Sequence, residues 1–377
     1  MTYREEVDAK RITQIREICR DLPQASSDFL RHIAVTTSSL TRLAYAIDMK
    51  TFVYYLHHER VSFMNKEPVL WDDNDLAKLT SNDLTAYTEY LTYYFRDEDQ
   101  NDDGLPKATV NHERAIKRKM CSIRSWYDYL FTSKRIPVNN TLLVPLPKIH
   151  EKPILRLNAE EMQKMLAEAE NGEGLTKGQQ RFQKVTARRD YAILSLFLGT
   201  GIRVSECVGI NLSDINMEEN AFVVTRKGGN QVVLYFPAEV ATAIGEYLVE
   251  REKIEPLPGH EDALFLSLQK RRMTQRAMEK LVKKYAAIAA PLKSKMSPHK
   301  LRATYATNLY HETGDIYLVA DSLGHSSVDT TRKHYADMTD ARRRMAAQHV
   351  HLPEPGILKP ETNGLPDQGE TTSAIEE

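Results

Sequence analysis

Four prolines within residues 136–154, at 137, 145, 147 and 153, rule out a helix or a central strand across that stretch of the 377-residue chain. Each lacks a backbone donor, and its ring clashes with a preceding helical turn. The stretch therefore reads as an interdomain linker, and it parts two regions of different patterning. Ahead of it, apolar residues recur at helical spacing over 12–19, 40–56 (with Ser38 and Ser39 placed to cap), 84–95 behind Ser81, and 110–131. The acid-rich run 97–104 separates the last two. Behind the linker, Asn158 with Glu161 makes a capping-box pattern ahead of a helix over 159–170, and 188–198 is an apolar helix ended by Gly199 and Gly201. Residues 222–226 and 231–236 read as strands around Lys227-Gly228-Gly229-Asn230, a hairpin signal. Helices follow over 238–253, 274–289, 298–310, 316–323 and 330–345. The expected fold is mainly α with a small antiparallel β-sheet: a helical domain over 1–150, a mixed α/β domain over 151–350 and a disordered tail over 351–377.

Charge is unevenly placed. The chain holds 51 Lys plus Arg against 52 Asp plus Glu, a net charge of −1 that by itself argues against a nucleic-acid partner. The average misleads, because the tail carries six acids against Lys359 alone. Within the body, residues 71–103 hold ten acids against Lys78 and Arg96, whereas 107–135 hold eight bases against Glu113 and Asp128. Residues 267–300 hold ten bases against Glu279. A solvated face explains one such run, but two basic segments in separate halves point to a polyanion. No stretch approaches ~18 uninterrupted apolar residues, and MTYREEVDAKR at the start lacks a signal-peptide core, so neither membrane span nor secretion is expected and the cytoplasm is the expected compartment. Cys19, Cys121 and Cys207 are far apart and read as buried, reduced thiols.

Three short segments carry chemistry. In Ser297-Pro298-His299-Lys300-Leu301-Arg302, proline suits a first helical turn, and His299 and Arg302 then share a face beside a helix start, where amides favour an anion. In Gly199-Thr200-Gly201-Ile202-Arg203-Val204-Ser205-Glu206, two glycines turn the chain after a buried helix, with Glu206 one turn on to orient Arg203. In the third, Leu323-Gly324-His325 ends a helix, and Tyr335 follows ten residues later. Taken singly, each has a bland reading: a packed His, a helix cap with a surface ion pair, a core aromatic.

Together they resemble the tyrosine recombinase (phage integrase) family. Its signature of an Arg after a GTGxR turn, a hairpin Lys, an HxLR helix, an LGH turn and a nucleophilic Tyr falls here on Arg203, Lys227, His299 with Arg302, His325 and Tyr335, in family order. More narrowly, VTRKGG at 224–229, ALFLSL at 263–268 and SPHKLRATYAT at 297–307 resemble the single-component Xer recombinases of Gram-positive bacteria. Two positions depart from the pattern: Ala303 follows Arg302 where many members have a further His, and Tyr335 stands ten rather than nine residues after His325.

The resemblance implies a site-specific recombinase. Attack on a phosphodiester builds charge on its non-bridging oxygens, and planar guanidinium groups suit that charge, so Arg203 and Arg302 are expected there. A phenol of pKa ~10 needs cationic surroundings and a proton acceptor, which makes His299 the expected base for Tyr335. His325 is expected to donate to a non-bridging oxygen and Lys227 to protonate the leaving 5′ oxygen. The implied intermediate is a 3′-phosphotyrosyl ester. Side chains rather than metal neutralise the charge, so no cofactor and no metal is expected; no GxxxxGK[ST] loop or clustered carboxylates suit either.

The implied partner is double-stranded DNA with inverted half-sites, gripped between the two domains by homotetramers on two DNA sites. Lys117, Arg118, Lys119, Arg124 and Lys300 are expected DNA contacts. The favoured role is chromosome dimer resolution; the integrase of a mobile element and a DNA-binding protein without catalysis are the alternatives. His349-Val350-His351 fits the metal site of tyrosine nickases but falls beside the acidic tail, and His57-His58 lacks ligand partners.

Overall fold

The computed structural model describes residues 3–95, 108–150, 155–226, 229–293 and 295–324. Residues through Asn308 belong to one compact unit, and those from Leu309 on to a second.

The first unit holds two separate hydrophobic cores. One is built from α1 (Tyr3–Cys19), α2 (Gln24–His32), α3 (Ser39–Glu59), α4 (Val61–Met64), α5 (Asp73–Ala77), α6 (Ser81–Tyr90), the ribbon β1 (Tyr93–Tyr94) with β2 (Thr109–Val110), and α7 (Glu113–Thr132). Its centre is aromatic: Phe52, Tyr87, Trp126 and Tyr127 are all at most 1% exposed, with Phe52 edge-on to Tyr87 at 4.8 Å. Ser38 caps α3 by accepting from the Thr41 amide, as its position foretells. Asp72 and Thr80 cap α5 and α6, each in a reciprocal box with the acid three residues on. Two expectations need correction. The helix over 84–95 stops at Tyr90, because Tyr93 and Tyr94 pair with Val110 and Thr109, and α7 accordingly begins at Glu113 rather than 110. Neither α2 nor α5 was expected, their apolar faces being short.

The second core gathers α8 (Ala159–Asn171), α9 (Lys177–Thr200), α10 (Val204–Gly209), β3 (Ile215–Asn216), β4 (Ala221–Thr225), β5 (Gln231–Tyr235), α11 (Ala238–Arg251), α12 (Gln275–Ala289) and the start of α13 (Pro298–Thr313). The three strands form an antiparallel sheet in the order β3-β4-β5, with Phe222 opposite Leu234. Tyr3, at the start of α1, also packs against this core. The Asn158–Glu161 box forms as expected. α9 starts eleven residues before 188, capped by Thr176 and Gln179, and closes on Gly201 in the left-handed region. A buried acid staples α9 to α12: the Asp190 carboxylate accepts from Tyr285 Oη at 2.9 Å, Lys284 Nζ at 3.1 Å and Thr186 Oγ1 at 3.2 Å. Burial, with Asp190 beside it, pushes the Tyr285 phenol well above its ordinary pKa. Cys207 is buried, whereas Cys19 and Cys121 are half-buried; all three are free thiols.

In the second unit α14 (Ile316–Leu323) is capped by Asp315 and ends on Gly324 at φ 59°. Among the described residues no helix is long and apolar enough to cross a membrane.

Candidate active site

α9 delivers the chain into the core and must then reverse it, and Gly201 does so at φ 61°. A side chain there would collide with the Tyr305 ring, its Cβ overlapping Cδ1 and lying 3.0 Å from Cγ and 3.1 Å from Cε1. The position is thus fixed twice, by backbone conformation and by close approach. Arg203 follows as the N-cap of α10, and Glu206 one turn on holds it at two points: its carboxylate accepts from the Arg203 amide at 3.1 Å and from Nη1 at 2.8 Å. Glu206 is 4% exposed and Arg203 34%. The anion is inside and the guanidinium reaches the surface, so the carboxylate serves to aim the cation.

His299 and Arg302 stand in the first turn of α13 behind Pro298, as the motif predicts. Arg302 is 6% exposed and donates from Nη1 to the carbonyl of Gly201 at 2.6 Å. That bond joins the α9–α10 turn to α13 across a hundred residues of sequence. Ile202, Arg203, Val204, Ser205, Pro298, His299 and Arg302 line one cleft of ≈ 210 Å³. This lies below the ~300–1,000 Å³ usual for small-molecule pockets. His299 is exposed at its rim. Ser205, also exposed there, carried no signal in the sequence beyond its place in the turn.

The hairpin forms around the expected turn, with Arg226 N donating to Asn230 at 2.8 Å and Gly229 at φ 92°. Lys227 itself, His325 and Tyr335 lie outside the described residues, as does the pair His349 and His351. Lys300 is half-buried on α13 and does not line the cleft.

The basic helix α7 divides its cations. Arg118 is at the surface, bonded through Nη1 and Nη2 to Asp48, a carboxylate with no exposure. Lys119, expected on the outside, is 6% exposed and sits 3.4 Å from the same carboxylate. Arg124 donates through Nε to the Thr141 carbonyl at 3.1 Å and through Nη2 to Val144, which ties α7 to the segment after it. Lys117 is half-exposed.

Residues 155–342 match the phage integrase family. Over 338 residues the chain is 33% identical to the tyrosine recombinase XerC of Caldanaerobacter subterraneus subsp. tengcongensis, covering 86% of each protein. In fold it is similar to the Tn1549 transposon integrase bound to circular intermediate DNA (TM-score 0.60, 18% identity, 88% of this chain and 99% of the other). It is similar also to lambda integrase, solved as a tetramer on a Holliday junction (TM-score 0.54, 15% identity, 82% and 77%). The chain belongs to the phage integrase family, the tyrosine recombinases. It is accordingly a site-specific DNA recombinase, and its sequence likeness is to the Xer group.

Proposed function

We propose that this recombinase cuts and rejoins duplex DNA at inverted half-sites through a 3′-phosphotyrosyl intermediate, in the resolution of chromosome dimers. The observation that carries the reading is the single cleft onto which Arg203, His299 and Arg302 converge from two distant elements. Arg203 and Arg302 bind the non-bridging oxygens of the scissile phosphate, each guanidinium anchored from behind, by Glu206 and by the Gly201 carbonyl. Anchoring matters because the donors then need no reorganisation as charge develops.

His299 accepts the phenolic proton of Tyr335 as its oxygen attacks phosphorus. The P–O5′ bond breaks, Lys227 protonates the departing 5′ oxygen, and His325 donates to a non-bridging oxygen. The ester stores the bond, so attack by a 5′ hydroxyl of another strand reverses the same steps with no energy source. The two cores support a division into a helical DNA-binding part over 1–150 and a catalytic part over 151–350, acting as a clamp with Lys117 and Arg118 on the backbone. Four copies on two sites complete the assembly, acting in the cytoplasm.

The test is a nicked suicide substrate carrying the host's recombination site, incubated with chelator and resolved on a denaturing gel. Wild type is expected to form a covalent adduct and Tyr335→Phe none. An adduct in Tyr335→Phe would overturn the assignment.

A further inference from the structure

α10 has six residues, too few to hold a helix by itself, so its orientation depends on what grips its ends. Glu206 secures the end that bears Arg203. The other end is held by a residue outside the family motif. Arg272, two positions before the Thr274 cap of α12, turns its guanidinium inward beneath α10. Nη1 donates to the carbonyls of Val208 and Ile210, both at 2.9 Å, and Nη2 to Asn211 Oδ1 at 2.5 Å. Val208 lies in the last turn, where a helix leaves acceptors unmet, and Ile210 is the residue that caps it, its carbonyl accepting also from the Leu264 amide at 3.1 Å. The Tyr3 ring covers the guanidinium, 5.2 Å from its centre, so the fork lies between an aromatic face and the helix end. Burial pulls the pKa of Arg272 down, yet a guanidinium stays charged at neutral pH.

We propose that Arg272 is a positioning residue for strand cleavage: it fixes the foot of α10, five to seven residues along the chain from Arg203, so that Arg203 meets the scissile phosphate at one place. Arg272 does not line the cleft, and its hydrogen bonds go to Val208, Ile210 and Asn211 at the foot of α10. The planar fork is needed because it serves two carbonyls and an amide oxygen together; a lysine ammonium, a point donor on a flexible stem, cannot span them in that plane. The inference rests on the assignment of Arg203 to the scissile phosphate.

Single-turnover adduct formation on the suicide substrate, run beside equilibrium DNA binding, tests it with Arg272→Met, Arg272→Lys, Arg203→Ala and the double variant Arg272→Met/Arg203→Ala. Displacement of a catalytic group by about 1 Å costs on the order of 100-fold in rate, and Arg272→Met is expected to slow cleavage by about that factor. DNA affinity should stay within about twofold, Arg272→Lys should recover part of the rate, and the double variant should be no slower than Arg203→Ala alone, since both act through one guanidinium. If Arg272→Met does not fold, the lysine variant carries the same comparison with the charge retained. Independent, multiplying losses in the double variant, or equal losses of affinity and rate, would show a general structural role and overturn the proposal. Wild-type cleavage by Arg272→Met beside a slow Arg203→Ala would overturn this inference alone, whereas wild-type cleavage by Arg203→Ala would remove both it and the assignment beneath it.

Discussion

Gly201→Ala concentrates the argument for the site in one methyl group. The backbone there is left-handed, at φ 61°, which costs an L-residue roughly 1–2 kcal/mol. The added Cβ would also overlap Cδ1 of the Tyr305 ring, in a region where extra volume typically costs about 1–3 kcal/mol. Reduced freedom of the unfolded chain returns at most about 1 kcal/mol. The net destabilisation is therefore about 1–5 kcal/mol, which at its middle moves a urea midpoint by about 1 M when the slope is near 3 kcal/mol/M. Relief by tilting the turn moves the Gly201 carbonyl that anchors Arg302, so cleavage of a suicide substrate should slow at least tenfold even where the protein is fully folded. Gly209→Ala is the control: no atom lies within 4 Å of its Cβ, and its midpoint should hold or rise. Equal midpoints and rates for wild type and Gly201→Ala would refute the reasoning.

Other expectations concern the helical half. Asp48→Ala leaves Lys119 buried without its carboxylate and should cost about 3 kcal/mol in urea denaturation; an unchanged midpoint would remove Asp48 as the anchor of α7. Lys117→Ala should lower the salt dependence of DNA binding by about one unit of slope, whereas Arg124→Ala, whose guanidinium is spent on the Thr141 and Val144 carbonyls, should lower stability and leave that slope alone. For Asp83, burial raises the pKa but bonds from Thr80 and Arg60 bring it below the ordinary carboxylate value. Its contribution is thus present above the unfolded value near ~3.9 and lost as pH falls through the lower folded one. The gap in stability between wild type and Asp83→Asn should be widest above about pH 4 and close below it; a gap independent of pH would contradict the pairing.

Local signals were legible wherever a few neighbouring residues decide the outcome. The Asn158–Glu161 box, the Ser38 cap and the hairpin between residues 225 and 231 all form at the positions their residues require. Signals set by distant partners were not. Tyr93 and Tyr94 continue an apolar helical pattern, and only their pairing with Thr109 and Val110 makes them strand. The first turns of α9 are polar and carry no apolar stripe, so its Thr176–Gln179 cap passes unread. In α7, cations appear alike in sequence; what sends Lys119 inward is Asp48, seventy-one residues earlier in the middle of α3. Within the site, the motif marks Arg203, Glu206, His299 and Arg302; Arg203, His299 and Arg302 line one cleft, and Glu206 is bonded to Arg203. Gly201 as the anchor of Arg302, and Arg272 beneath α10, rest on carbonyl acceptors that any residue supplies, so no side-chain pattern announces them.

The most direct test of the central claim is to digest the covalent adduct and find by mass spectrometry which residue carries the 3′-nucleotide. The account predicts a phosphate ester on Tyr335 alone, formed in the presence of chelator and lost, with DNA binding retained, when Arg203 and Arg302 are both replaced. A nucleotide on any other side chain, or on the 5′ end of the broken strand, would contradict it.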